Sequence, residues 1–418
     1  MSSRRVMVVG GGAAGFMAAI TCAEAMPAAE VTILEKGRDF LGKVRISGGG
    51  RCNVTHACFD PREFAARFPR GERELIGPFQ RFQARDTVEW FESRGVKLKT
   101  EADGRMFPVT DSSQTIIDCL IGAAKAAGVK LRTNCGVAAV SDRRNPGKAT
   151  ADGAHRAPLQ GFEITLSGGE TLPCDRLLLA TGGCRSEAGG KVAVTLGHTL
   201  EPPVPSLFTF HIETSWLRGL AGISVEPVEV SAAGLRELGA VLVTHTGLSG
   251  PAILRLSAWG ARELHGLDYR FPLNVNWLPD GNVDEELHRR RSEQPARLVV
   301  NTPIARLPAR LWEQLVLAAG INRDTRWSQL SKADHHRLVQ QLIRTELPVT
   351  GKSLNKEEFV TCGGVRLSEV DFKTMESRLC PGLYLAGELL DIDGITGGFN
   401  FQAAWTTGWI AGRAMGGK

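Results

Sequence analysis

The chain has 418 residues, 43% of them apolar and 23% charged, with a formal net charge of +5. That is too long for one ordinary core, too apolar for a disordered chain and too weakly basic for charge alone to imply nucleic acid. No apolar run reaches the ~20 residues of a bilayer span, and the first strand begins so close to Met1 that a signal peptide has no room, so a cytoplasmic protein without membrane partners is expected. Nine cysteines, at 22, 52, 58, 119, 135, 174, 184, 362 and 380, form no CxxC and are odd in number. They fit a reducing compartment better than a disulfide framework or a zinc site, and no metal is expected.

Taken in order, Val6–Val9 is an apolar run leading into Gly10-x-Gly12-x-x-Gly15 and then an alanine-rich helical stretch. Strand, tight turn and helix in that order place a pyrophosphate on the helix N-terminus. Gly10 permits the turn, Gly12 admits the ligand and Gly15 allows close helix–strand packing. Val31–Leu34 is the next strand, and Glu35 at its end suits a ribose diol. The segment Gly42-Lys43-Val44-Arg45-Ile46-Ser47-Gly48-Gly49-Gly50-Arg51-Cys52-Asn53 follows. Its glycine triplet is read as a loop lying flat against a ligand, since glycine opposes both helix and packed strand. Lys43, Arg45 and Arg51 would add positive charge there for phosphates or an anionic flavin.

Residues 60–100 read as helical, with Phe79, Phe82, Val88, Trp90 and Phe91 toward a core. Gly104–Val109 reads as a short strand or turn, and Asp111-Ser112-Ser113 caps a helix over 114–127. Val129–Arg132, Val137–Val140 and Phe162–Leu166 read as strands, with a polar loop over 142–158. The run 174–183 is an apolar strand ending in Ala180-Thr181-Gly182-Gly183, the pattern of a buried parallel strand stopping at a ligand. Paired with Gly10–Glu35 at this separation, it favours FAD over NAD.

From Pro202 short alternating segments, 207–212, 225–230, 240–243 and 271–275, suggest a small β-barrel or sandwich. Residues 307–347 read as helical. Between 306 and 352 eight basic side chains (Arg306, Arg310, Arg323, Arg326, Lys332, Arg337, Arg344, Lys352) face four acidic ones (Glu313, Asp324, Asp334, Glu346), an excess of 8 − 4 = +4. That excess suits a solvated helix surface or a contact with RNA. The chain then returns to its opening texture. Leu383–Ala386 is a strand ending in Gly387-Glu388, and Gly397-Gly398 opens a helix over 403–415, offering its N-terminus to a second negative centre.

Together these pieces resemble one family. Gly10–Gly15, Glu35-Lys36, Gly42-Lys43 with Ile46–Thr55, Gly104–Val109, Ala180–Gly183, Gly363–Val365, Thr374–Ser377 and Ala386–Gly398 with Asn400 and Gln402 occur in the order seen in BaiN-like (YhiN-like) FAD-dependent oxidoreductases, also called aminoacetone oxidase family FAD-binding enzymes. The resemblance covers nearly the whole chain. It implies an α/β fold in which a Rossmann-like FAD-binding domain is formed by both chain ends (1–200 and 363–418). An inserted β-barrel (201–305 and 348–362) would carry a helical subdomain (306–347).

The cofactor-binding set expected from motifs and resemblance is Gly10, Gly12, Ala13, Ala14, Gly15, Glu35, Lys36, Gly42, Lys43, Ser47, Gly49, Gly50, Arg51, Cys52, Asn53, Val137, Thr181, Gly182, Gly183, Gly387, Glu388, Asp391, Gly397, Gly398, Asn400 and Gln402. Of these, Gly398, Asn400 and Gln402 are expected at the isoalloxazine end. Cys52 and His56 are the candidate proton donors. The sequence departs from the family pattern at His56, at Phe399 and in the compact stretch 184–191, where substrate would approach.

The absence of a second GxGxxG and of CxxC argues against a built-in NAD(P)H domain and a disulfide relay. NAD(P)H would therefore dock transiently, or the substrate itself would supply the hydride. The expected activity is FAD-dependent hydride transfer to or from a small or medium metabolite. Family members that reduce a uridine of ribosomal RNA to dihydrouridine supply a second reading. A non-catalytic FAD-binding sensor or scaffold is the third. Substrate and oligomeric state are not legible.

Overall fold

The computed structural model describes residues 3–143, 161–184, 187–353 and 360–417; the loop read over 142–158 lies largely outside them. The chain divides into two compact units, one built from Met1–Val204 with Val360–Lys418 and the other from Pro205–Phe359.

In the first unit, β1 (Arg5–Val9) leads into α1 (Ala13–Ala25), which is followed by β2 (Glu30–Leu34), β3 (Lys130–Arg132) and β4 (Arg176–Leu179). The chain leaves for the second unit, where α2 (Val283–Glu293) and α3 (Lys332–Ile343) lie, and returns with β5 (Leu383–Leu385) and α4 (Phe399–Met415). The resulting seven-stranded sheet runs Val370–Asp371, Glu376–Ser377, β5, β4, β1, β2, β3. Its five strands from β5 to β3 are parallel, and the edge hairpin at 370–377 is antiparallel. β1, β2, β4 and β5 are near-continuous apolar runs because both sheet faces are covered.

α4 seals one face by lying directly on α1. A Cβ at Gly408 or Gly412 would come within 3.0 Å of the carbonyl oxygen of Ala14 or Ala18, so two glycines one turn apart let the helix backbones touch. α4 begins at Phe399, four residues before the helix read from sequence. The earlier turn is held by Asn400, whose amide exchanges two 2.8 Å hydrogen bonds with the Gly394 backbone.

The second unit is a closed six-stranded barrel, ordered Phe210–Ile212, Gly247–Ser249, Leu235–Val243, Ser224–Ala232, Phe271–Asn276, Thr345–Lys352. Its helical part holds α2, α3 and Ala309–Ala318 around Trp312 and Trp327, both fully buried. Helix does not continue to Leu347 as expected. α3 stops at Ile343, and Thr345–Lys352 closes the barrel. The burial of Thr345, Leu347 and Val349 alternates with exposure of Glu346 and Pro348, and a proline has no place in a helix interior. The helices Pro251–Trp259 and Val283–Glu293 were not read from sequence at all.

Candidate functional site

The four central strands end level. Val9 pairs with Leu34 on one side and Leu179 on the other, and Leu179 pairs with Leu385. Gly10, Glu35, Ala180 and Ala386 therefore stand side by side on the carboxyl edge of the sheet. The backbones are stitched there by Gly10 N–H to Leu34 O (2.9 Å), Ala180 N–H to Val9 O (2.8 Å) and Ala386 N–H to Leu179 O (3.1 Å). β1 is also where the strand order reverses, and open α/β sheets bind ligands in that crevice.

At this edge the glycines differ in role. Gly10, at φ +110°, abuts the Ala180 carbonyl, and Gly15 abuts the Gly10 carbonyl, each too close for a Cβ. Gly12, at the cap of α1 with φ −93°, has nothing within 4 Å of where a Cβ would stand. No side chain caps α1, so the first-turn N–H groups, including those of Ala13 and Ala14, are left for a ligand. Glu35 reaches across this turn, accepting 2.8 Å hydrogen bonds from Gly11 N–H and Gly37 N–H, while Lys36 is exposed. Val137, half-buried, begins a three-stranded meander whose first strand pairs with Phe162–Leu166.

The glycine triplet adopts the conformation its composition demands. Gly48, Gly49, Gly50 and Cys52 all have positive φ (57°, 68°, 84° and 62°), so the loop reading holds there. Gly42–Ile46 is instead a helical turn, closed by Arg45 N–H to Leu41 O and by Ser47 Oγ to Val44 O, each 3.0 Å. Gly42, Gly49 and Gly50 open onto free space. The cations expected to meet phosphate are paired within the protein. Lys43 bonds to Glu388. Arg51 pairs with Glu101 (2.6 Å) and Asp111 (3.5 Å) and lies over the Phe107 ring at 4.0 Å.

Opposite them, Gly182 (φ +77°) faces open space, whereas Gly183 packs against Thr361 and Glu388. Glu388 accepts from Thr361 N–H (2.9 Å), Asp391 from Gly363 N–H (2.9 Å), and Gly387 N–H donates to Thr407 Oγ1 (3.0 Å). The entrance to α4 is tied to the glycine loop through Asn53, which bridges Gly398 N–H and Thr55 O at 3.0 Å each. Gly397 and Gly398 have φ of 128° and 96°. Asn400 is committed to the Gly394 turn. Gln402, fully buried, accepts from Thr55 Oγ1 (2.7 Å) and donates to Thr406 Oγ1 (3.1 Å). Both amides thus shape the entrance from inside the protein.

Of the two candidate proton donors, Cys52 is fully buried and its thiol is pushed up to about 12 by that burial. It stays protonated and out of reach. His56 is half-buried and stacks on Phe399 (ring centroids 4.8 Å apart, 22°). Its Nε2 lies 3.1 Å from Asp103 O, an atom that only accepts, so Nε2 carries the proton. Burial lowers its pKa, which favours the neutral ring.

Two long-range elements had no sequence signal. Arg70 forms a double-pronged ion pair with the fully buried Asp393, below the turn that leads into α4. His198, buried, bridges Glu369 (Nδ1, 2.9 Å) and Ser377 (Nε2, 2.9 Å). In each case the partners are more than 150 residues apart, beyond the reach of any local pattern.

The family model described as "HI0933-like protein Rossmann domain" matches residues 4–414. The chain is 30% identical over 419 residues to a ribosomal RNA dihydrouridine synthase of Escherichia coli, covering 98% of this chain and 97% of that protein. It is also 30% identical over 424 residues to a 3-dehydro-bile acid delta(4,6)-reductase of Clostridium scindens, covering 98% of each. Among solved structures, 3-ketosteroid delta1-dehydrogenase from Sterolibacterium denitrificans shares the fold, with a TM-score of 0.52 and 12% identity over 99% of this chain and all of that one. The family resemblance carried by the motifs is borne out.

Proposed function

The chain belongs to the HI0933-like Rossmann-domain family, and from that premise we propose that it is an FAD-dependent oxidoreductase working in the reducing direction on a carbon–carbon double bond conjugated to a carbonyl. The observation that carries the cofactor reading is the uncapped N-terminus of α1 beside Glu35 and Ala180-Thr181, on the level carboxyl edge of a parallel sheet. The residues fit the group. Gly12 leaves open space where a pyrophosphate would approach, and the Thr181 hydroxyl is buried with no partner among the described residues. Gly10–Gly15 would hold the pyrophosphate and Glu35 the adenosine ribose, with Thr181, Gly182 and Glu388 farther along and Gly398 at the flavin end. When bound, the flavin supplies hydride chemistry, and the protein supplies binding, orientation and electrostatics.

The substrate class rests on the names of the two 30%-identical relatives, which share a reduction although their substrates differ in size. In this reading the neutral His56 orients groups near the α4 entrance through its stack on Phe399. The proton that accompanies hydride comes from solvent, because Cys52 is sealed off and the Nε2 proton of His56 is held by Asp103 O. NAD(P)H docking transiently is the proposed donor.

The test is anaerobic. Purified protein should be yellow, bleach with NADH or NADPH, and recover its spectrum when a 3-keto-4-ene steroid is added. A colourless protein that takes up no FAD would overturn the reading.

Ribosomal RNA as substrate is the second reading, favoured by two relatives named as ribosomal RNA dihydrouridine synthases. The +4 excess already sets Glu313 and Asp334 against two of the eight cations. Arg323 and Arg337 are paired with Glu313 and Asp334, and Arg310 and Arg326 donate to backbone carbonyls. Loss of a ribosomal dihydrouridine in a deletion strain, restored by the wild-type chain, would select RNA over the small molecule.

A further inference from the structure

We propose that Asp284, His288 and His335 form a binding site for a divalent transition-metal ion, with zinc as the best match, that clips α2 to α3. The site lies wholly within the second unit and does not depend on the cofactor reading.

Local structure places the three side chains together. Asn282 caps α2 by accepting from Glu285 N–H (3.3 Å), which fixes Asp284 in the first turn and His288 one turn on, on the same helix face. Ser331 caps α3 and sets His335 in its first turn. His335 Nε2 then lies 2.7 Å from one carboxylate oxygen of Asp284, and His288 Nε2 lies 3.8 Å from the other. The two imidazole rings stand 4.5 Å apart at 35°, and one ligand atom from each residue falls within 4.8 Å of the others.

The chemistry selects the ion. Two imidazoles and one carboxylate suit zinc and its first-row neighbours, whereas magnesium and calcium want oxygen donors throughout. Three protein ligands leave one position for water. His335 is the anchor, only 7% exposed, while the Asp284 and His288 side chains are more than half exposed and free to swing in by the ångström or so that coordination needs. The Nδ1 of His335 is buried with no partner among the described residues. Metal-bound histidines ordinarily donate that second N–H to an acceptor. An ion here is therefore expected to exchange readily with chelators. Sequence spacing missed the site because His335 comes from a different helix, 51 residues after Asp284.

The experiment strips the full-length protein with EDTA and titrates it with Zn2+ by calorimetry, and with Co2+ by visible absorption. Expected are one equivalent of Zn2+, a tetrahedral Co2+ spectrum, a raised melting temperature and no response to Mg2+. His335→Ala and His288→Ala should each weaken Zn2+ binding by at least about tenfold. If His335→Ala does not fold, His288→Ala, at an exposed position, decides alone. Zn2+ binding unchanged in His288→Ala, or absent from the wild type, would overturn the proposal.

Discussion

Gly10 and Ala180 meet where two neighbouring strands end, so closely that a Cβ on Gly10 would stand inside 3.0 Å of the Ala180 carbonyl oxygen. The two glycine-bearing turns read separately from the sequence are thus one object, and the tightness of their contact sets the floor of the candidate cofactor site. Gly10→Ala adds that clash to a φ of +110° and is expected to cost about 2–5 kcal/mol of stability. Gly12→Glu has open space around its Cβ and keeps an allowed backbone, so it should melt like the wild type yet retain no flavin. Thermal unfolding and flavin absorbance of the pair check this. Equal melting of both variants would show that the packing argument is misplaced.

The Arg70–Asp393 pair supports the turn into α4. Arg70→Ala removes this guanidinium from a carboxylate with no exposure, at an expected cost of about 3–5 kcal/mol. The measurement is the urea midpoint, and a shift worth under 1 kcal/mol would count against it.

Acid should loosen the edge hairpin through His198. Burial lowers the pKa of His198, so the unfolded chain binds its proton first, and this contribution is full above the ordinary value of 6.5 and fades as pH falls below it. Burial opposes ionisation of Glu369, but hydrogen bonds from Thr199 and His198 hold its carboxyl low, and its contribution is lost only at still lower pH, below its ordinary 4.5. Melting temperature should therefore drop between pH 7 and 5, and His198→Asn should flatten that part of the profile. An unchanged slope in the variant would refute the assignment.

Cys52 is expected to be inert. With its thiol pushed up to about 12, Cys52→Ala should leave the rate of flavin reduction within about twofold, and iodoacetamide should not label the native residue. A rate loss of tenfold or more would restore it as a proton donor.

Much of this fold is written locally. The strand–glycine–helix start, Glu35 closing the next strand, the positive-φ glycines at 48–50 and the alternating barrel strands depend on neighbours within a few residues. Steric limits on φ and side-chain periodicity act at that range, so they were legible. Other outcomes depend on pairing across the chain. Lys43 is claimed by Glu388, 345 residues on, and Thr55 bonds to Gln402, 347 residues on. Thr345, Glu346 and Leu347 turn from expected helix to barrel strand because Phe271–Asn276 pairs with them. Asp284 and His335 meet only when α2 lies beside α3. A charge or an amide has the same composition whether it faces a ligand or a partner inside the protein. Which of these it meets is settled only by the packing that removes one choice from water and leaves the other open.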